Sequence, residues 1–480
     1  MTYHFIEGDI FDILPGFEDA SFDACFCDPP YHISFMSRTW DKGDVAFRPE
    51  TWAEVFRVLK PGAPLLAFGG TRTVHRLTCA IEDAGFEIRD TLMWLYGSGF
   101  PKSHDISKGI DKALGLEREV IGQKMRPDGK AMIDARPNNF DGSLEGWDRP
   151  WKKDRAKVEL QASITAPASP ESALWSGYGT ALKPAWESII LAMKPLDSGL
   201  TYAENAMKHG VAGLNVDGAR VNVDGERPHI QRTNDKSLDG DVYGSGINGS
   251  RSLGTFSTGR WPANLLLSHS EQCVEGTDEI YVCADDCPVR LLDKQSGQTR
   301  SPDKPVTQGV NSRGSGYKVA KERIDAGGVG YGDRGGASRF FYQAKVSTRE
   351  RNMGGINCSH PTLKPISLCK YLATLILPPA HTDGSPRSLL TPFSGAGSEV
   401  LGSLRAGWEY VIGVESDPES VAWAECRVAA GLGETVPPMP SAFAKAPRSG
   451  QDTSLNPSPR TARQGKGTRI DADALNEGID

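Results

Sequence analysis

Short apolar runs, each followed by a stretch of helical period, occur at both ends of this 480-residue chain and are missing between them. At the amino-terminal end, Tyr3–Gly8 and Phe22–Cys27 read as strands. Thr51–Lys60 reads as a helix with Trp52, Val55, Phe56 and Leu59 on one face, stopped by Pro61-Gly62. Ala63–Phe68 is a further strand, Thr71–Ala84 a helix with Val74, Leu77 and Ile81 inward, and Phe86–Tyr96 a strand by its alternation. At the other end, Ile366–Leu377 is helical and Ser388–Pro392 is a strand. A turn over 393–398 leads to a helix ending at Ala406, then a strand Tyr410–Val414 and a helix Pro418–Ala430. Continuous apolar strands alternating with amphipathic helices predict an α/β fold with a doubly wound, mostly parallel sheet, buried on both faces.

The rest of the chain is organised differently. Residues 102–180 are polar and without period. A strand-like run, Trp186–Ala192, then returns and is expected as the last antiparallel partner of the same sheet. Residues 195–350 are irregular again, with glycine-rich stretches at 239–254 and 309–336, the second holding 9 glycines in 28 residues. The net charge of −7 argues against a protein that coats nucleic acid with uniform positive charge. Yet Arg290–Arg351 carries 13 Lys+Arg against 6 Asp+Glu, a local +7, which suits either a phosphate-gripping face or a solvated loop. Nine cysteines without framework spacing fit a reducing cytoplasm, and neither a signal peptide nor an apolar run long enough to span a membrane is read. Beyond Glu434 the composition predicts a disordered tail.

Two turns carry chemistry. Asp28-Pro29-Pro30-Tyr31 follows the Phe22–Cys27 strand, so its carboxylate stands at the carboxyl end of a strand, where open α/β sheets bind ligands. The prolines lack N–H donors and stiffen the turn, leaving its carbonyls to accept. With the tyrosine face beside them, these groups can grip a planar ring bearing an NH₂ group. Taken alone, the four residues could equally be a tight turn. The second turn, Phe393-Ser394-Gly395-Ala396-Gly397, follows another strand, and Glu415 ends the next one. Glycines let the backbone approach a ligand, and such an acid can accept from both hydroxyls of a ribose. Val400 stands where a dinucleotide fingerprint needs its third glycine, and no P-loop occurs, which argues against NAD, FAD and ATP.

In combination and in this order, the two turns resemble those of the amino-group DNA methyltransferases that use S-adenosyl-L-methionine. The resemblance is to the class whose Asp-Pro-Pro-Tyr half precedes the target-recognition region and whose Phe-x-Gly-x-Gly half follows it. His360-Pro361-Thr362-Leu363-Lys364-Pro365, just before the cofactor strand, is similar too, and Gly69–Arg72 and Tyr96–Lys102 look like phage and prophage members. The resemblance implies a circularly permuted, Rossmann-like methyltransferase sheet. Residues 1–101 would be its catalytic half, 102–354 an insertion with the target-recognition region, 355–433 the cofactor half and 434–480 the tail. It implies Asp28, Pro29, Pro30 and Tyr31 as catalytic residues, and Phe393, Gly395 and Gly397 as the lining of the S-adenosyl-L-methionine pocket. Glu415 would hold the ribose, Asp9 would lie by the adenine, and Thr362 and Lys364 near the methionine carboxylate. Thr391 departs from the family, which often has Asp before Pro-Phe.

The implied partner is double-stranded DNA, with the target base flipped into the pocket, Tyr31 stacked on it, and Trp94 either on its opposite face or in the core. Asp in the motif marks adenine N6 as the implied target, with cytosine N4 the alternative, since Asp28 could accept from either amine. A restriction-modification or phage setting in a bacterial cytoplasm goes with that family, and a homodimer is compatible with it. A silent nucleic-acid-binding protein and an RNA methyltransferase are the other readings. Apart from the resemblance, His269-x3-Cys273-x9-Cys283-x3-Cys287 offers four ligands with the logic of a structural zinc knuckle, though buried free cysteines would read the same way.

Overall fold

A computed structural model of the chain describes residues 1–33, 41, 43–97, 103–125, 162–221, 231–234, 250–253, 259–270, 273–275, 281–285, 287–300, 334–344, 350–356, 358, 360, 363–440 and 443. Thr362, the glycine-rich stretch 309–333, much of the basic segment and residues 444–480 of the expected tail lie outside them. By backbone contacts the chain divides into two units, 1–98 with 186–480, and 99–185.

The larger unit is built on a nine-stranded sheet. Its strands in chain order are β1 (Thr2–Glu7), β2 (Ala24–Cys27), β3 (Pro64–Gly69), β4 (Glu87–Leu95), β5 (Trp186–Met193), β6 (Leu265–Ser268), β7 (Tyr342–Ala344), β8 (Ser388–Pro392) and β9 (Tyr410–Glu415). In space they run β1-β9-β8-β2-β3-β5-β4-β6-β7. Every neighbouring pair is parallel except those of β5, which is antiparallel to both β3 and β4. Trp186–Met193 is therefore an interior strand and not the last one. The stretch expected to be irregular supplies β6 and β7, which extend the sheet beyond β4.

Period-two alternation sorts the strands' side chains onto two buried faces. Phe26, Leu66, Phe68, Leu389 and Val411 pack on one face with α4 (Ile366–Leu375), α5 (Ser398–Ala406) and α6 (Pro418–Leu432). Cys25, Cys27, Leu65, Ala67, Leu390 and Ile412 pack on the other with α1 (Ile10–Ile13), α2 (Pro49–Val58) and α3 (Val74–Asp83). Helices thus cover both faces, the doubly wound arrangement. Burying each large aliphatic side chain contributes about 1.5–3 kcal/mol, so this double core is the main stabilising term.

The two ends of the chain are joined at the amino edge of the sheet. Asp23, fully buried before β2, accepts from Ser388 N at 2.7 Å and pairs with Lys60 at 2.7 Å and His381 at 3.0 Å. With polar links at that edge satisfied, the carboxyl edge is left for the loops. The smaller unit contains helices Ile106–Ala113 and Pro170–Leu174 and an antiparallel ribbon of Val120–Gln123 with Ser163–Thr165. Its polar centre is Asp111, buried, paired with Arg118 at 2.6 Å and accepting from Ser169 Oγ at 3.0 Å. Among the described residues no helix is long and apolar enough to cross a membrane.

Candidate active site at the carboxyl edge

β2 and β8 pair in parallel, Leu389 with Ala24 and Leu390 with Cys25, and their chains then wind in opposite directions, to β3 and to β9. A parallel sheet opens a crevice at such a switch point. A cleft of about 280 Å³ lies there, lined by Asp9 and Asp28–Tyr31 from one half of the chain and by Lys364, Phe393–Ala396, Glu399 and Glu415 from the other.

Its chemistry centres on Lys364, 5% exposed. The ammonium lies 2.9 Å from Asp28 Oδ2 and 3.0 Å from Glu187 Oε2, and donates to the Tyr31 hydroxyl at 3.0 Å. Tyr31 OH in turn donates to Glu187 Oε2 at 2.9 Å. Burial works against the charge on Lys364, but the two carboxylates overcome it and hold the ammonium well above its usual range. One cation shared by two acids does not satisfy both. Burial pushes the Asp28 carboxyl up, Lys364 pulls it down and Glu187 pushes it up again, for a net rise. Asp28 Oδ1 is buried and has no hydrogen-bond partner.

Glu187 reaches this place because β5 is antiparallel. A parallel strand brings its last residues to the carboxyl edge, whereas β5 brings its first. Ser188 is opposite Gly69 and Glu187 is opposite Trp94, at the top of the sheet. Tyr31 is fixed from below. A Cβ on Gly70 would come within 2.9 Å of its ring, and Thr73 Oγ1 donates to its carbonyl at 2.9 Å. The next residue, His32, has φ 50°, and buried Asp41 accepts its N–H at 2.8 Å and that of Ile33 at 3.2 Å.

The opposite loop is similarly strained. Phe393, Gly395 and Gly397 all have positive φ, 58°, 49° and 77°. A non-glycine residue as bulky as Phe393 there stores strain that the surroundings must over-determine. At Gly397 a Cβ would lie 3.0 Å from Ala424 Cβ and 3.2 Å from Phe5 Cζ, so no side chain fits. Glu415 accepts Gly395 N–H at 2.8 Å and Asp417 N–H at 2.9 Å, and buried Arg427 on α6 donates to the Ala396 carbonyl. Glu399, in the first turn of α5, is buried. That burial, with the nearby Asp28 charge, pushes its carboxyl up to about 8. Burial, then the Arg427 and Arg351 charges, lowers His360 to about 4, so its imidazole is neutral at pH 7. Ser394 Oγ and Thr391 Oγ1 are buried without hydrogen-bond partners.

Of the residues singled out in the sequence, Asp9, Asp28, Pro29, Pro30, Tyr31, Lys364, Phe393, Gly395 and Glu415 line this cleft. Gly397 lies behind the loop as the N-cap of α5. Asp9 also caps α1, accepting Phe11 N–H at 2.9 Å. Thr362 is outside the described residues. Lys364, placed by the resemblance near a methionine carboxylate, is bound to Asp28 and Glu187. Trp94 is a core residue, 7% exposed, its indole N–H given to Ser268 Oγ at 2.7 Å, so it offers no face to a flipped base. His269, Cys273, Cys283 and Cys287 converge elsewhere on the same edge, their ligand atoms within 4.8 Å of one another. Sequence reading passed over Glu187, Glu399 and Arg427. For the first, the available signal was an acid opening an antiparallel strand, and for the last, an arginine on an otherwise apolar helix face.

The Type II methyltransferase M.HindIII of Haemophilus influenzae is 25% identical over 168 residues, 35% of this chain and 37% of its own length. The putative methylase YubD of Escherichia coli (strain K12) is 34% identical over 89 residues, 18% of this chain and 39% of its own length. The chain thus spans under two-fifths of these curated relatives. Among solved structures, PvuII DNA methyltransferase (cytosine-N4-specific) is 11% identical, covering 89% of this chain and 86% of its own, with a TM-score of 0.36, too loose a likeness to carry weight. The family model N6_N4_Mtase, described as DNA methylase, matches residues 22–210, the segment that holds the Asp28 turn and Glu187. Over that segment the chain is similar to the DNA methylases.

Proposed function

We propose that the protein is a DNA methyltransferase that moves a methyl group from S-adenosyl-L-methionine to the exocyclic N6 of adenine in double-stranded DNA. The observation that carries this reading is Asp28 Oδ1, a buried acceptor without a donor beside an oxygen already committed to Lys364. A buried, unpaired acceptor costs about 1–3 kcal/mol, a cost that an incoming N–H donor removes. The matched DNA methylase family and the named methyltransferase relatives support the same class of reaction.

The residues present fit the methyl donor. Buried Ser394 Oγ is without a partner in the Phe393–Gly397 loop, Gly395 lines the cleft without a Cβ and lets the backbone approach a ligand closely, and Glu415 lines the adjoining wall. Bound there, S-adenosyl-L-methionine supplies an activated methyl group on a sulfonium. Asp28 Oδ1 and the Pro29 carbonyl each accept one N–H of the base's amine. That draws the nitrogen toward tetrahedral geometry and frees its lone pair from the ring. Tyr31, held by Glu187, Lys364 and Gly70, offers its ring for stacking on a base turned out of the duplex. Rate comes from this pre-set geometry rather than from an attacking side chain.

Sequencing of DNA from an unmethylated host expressing the protein tests the reading. N6-methyladenine in a recurring short sequence is expected. N4-methylcytosine would keep the mechanism and change the base, and unmodified DNA would overturn the proposal.

A further inference from the structure

We propose that His269, Cys273, Cys283 and Cys287 form a closed tetrahedral zinc site that fastens the β6–β7 edge of the sheet. His269 follows β6 directly, and Cys287 is the N-cap of the helix Pro288–Ser296. His269 Nδ1 lies 3.4 Å from Cys283 Sγ and 3.6 Å from Cys287 Sγ, and all four ligand atoms fall within 4.8 Å. The 3.4 Å and 3.6 Å separations match the edge length, about 3.3–3.8 Å, of a tetrahedron whose centre is about 2.0–2.3 Å from each atom, the distance of Zn–N and Zn–S bonds. Three thiolates and an imidazole are a structural donor set, with no position left for substrate.

A second layer of contacts orients the imidazole. His269 Nε2 lies 3.1 Å from Gln343 Oε1 on β7. The Gln343 amide nitrogen is committed to Ser338, at 3.1 Å from both its carbonyl and its hydroxyl, so the amide oxygen faces the ring. Nε2 therefore carries the proton, and the Nδ1 lone pair points at the sulfurs. Ser338 is anchored in turn by Asp293 of the Pro288–Ser296 helix, through 2.7 Å and 2.8 Å bonds. Outer partners of this kind are what fix a metal-bound histidine.

Among the described residues the apolar support here is thin: Leu267, Cys287 and Val289 are buried, with Leu95, Leu292 and Phe341 packed partly buried against them. A bound ion would supply the cohesion that so small a core lacks. On binding, the three thiols release their protons to solvent as three Zn–S bonds form. Through Ser268, which accepts the Trp94 indole N–H, the site also buttresses the wall carrying Trp94 and Tyr96.

Full-length protein purified without chelator should hold about one zinc per chain by elemental analysis. Reagent-accessible thiols should then be three fewer than after the metal is stripped. C283S and C287S should lose the metal. Q343L should remain folded and yield its zinc to a competing chelator at roughly 10–100-fold lower concentration. Folded wild-type protein free of metal, iron in place of zinc, or a full equivalent of zinc retained by both cysteine variants would overturn the proposal. None of these readouts involves methyl transfer, so this inference and the methyltransferase reading fail separately.

Discussion

The carboxyl edge of one sheet carries two polar clusters, and they are held in different ways. The Asp28–Lys364–Glu187 cluster is walled by a dense double core in which Phe26, Leu66, Phe68 and Leu389 are fully buried. Among the described residues the His269 cluster is backed by a small core, with Leu267 and Val289 buried beside the ligand Cys287. In the first, one ammonium faces two carboxylates and a buried acceptor stays unpaired. In the second, the polar atoms converge on one another and each outer partner is itself bonded. A core that over-determines its walls can hold an unsatisfied group in place, and an unsatisfied group is one that can act on a substrate. Where the core is thin, the polar groups have to hold the structure together.

Breaking each cluster tests that contrast. The largest effect on stability is expected from K364M, which leaves Asp28 and Glu187 facing each other without their cation. A loss of about 3–5 kcal/mol is expected in denaturant unfolding at pH 7, partly recovered by a second change, E187Q. Removing metal from the His269 edge should leave the main unfolding transition in place. It should loosen only the β6–β7 edge, seen as faster amide exchange there with slow exchange kept in β2 and β8.

E399Q should act through pH. The folded-state carboxyl is raised to about 8 from its usual 4.5, so it stays protonated when folded and ionises freely when unfolded. Wild-type stability from this group therefore falls as pH rises from 4.5 and levels off above 8. The variant lacks that fall. Its advantage in unfolding free energy should be near zero at pH 4 and largest at pH 9, at about 1.4 kcal/mol per tenfold change in the ionisation constant, read by denaturant unfolding at each pH. E187Q alone should have the smallest effect on stability, because the amide still accepts from Tyr31. By removing a charge that raises Asp28, it should move the acidic limb of the pH–rate profile downward.

Much of this organisation was legible in the sequence, for identifiable reasons. Strands buried on both faces show as unbroken apolar runs, so β2, β3, β8 and β9 could be read with boundaries shifted by a residue or two. The loops after β2 and β8 were legible because prolines and glycines announce unusual backbone. Leu265–Ser268 and Tyr342–Ala344 were not, since each is a short run set within long irregular sequence instead of next to a stretch of helical period. That is also why Trp186–Met193 was expected at the end of the sheet and not inside it. Glu187, Glu399 and Arg427 have no local pattern. Their roles follow from strand direction and helix packing, which join residues hundreds of positions apart. Trp94 had two readings, and the hydrogen bond to Ser268 puts it in the core.

Asp28 Oδ1 as the acceptor of the target amine is the central claim, and the D28A variant tests it most directly. Lys364 keeps Glu187 as a partner in that variant, so fold and donor binding should persist. Transfer of tritiated methyl from S-adenosyl-L-methionine to unmethylated DNA should fall by about 10³-fold, with calorimetric affinity for the donor within a few-fold of wild type. Wild-type rates of transfer in D28A, with donor binding unchanged, would contradict the account.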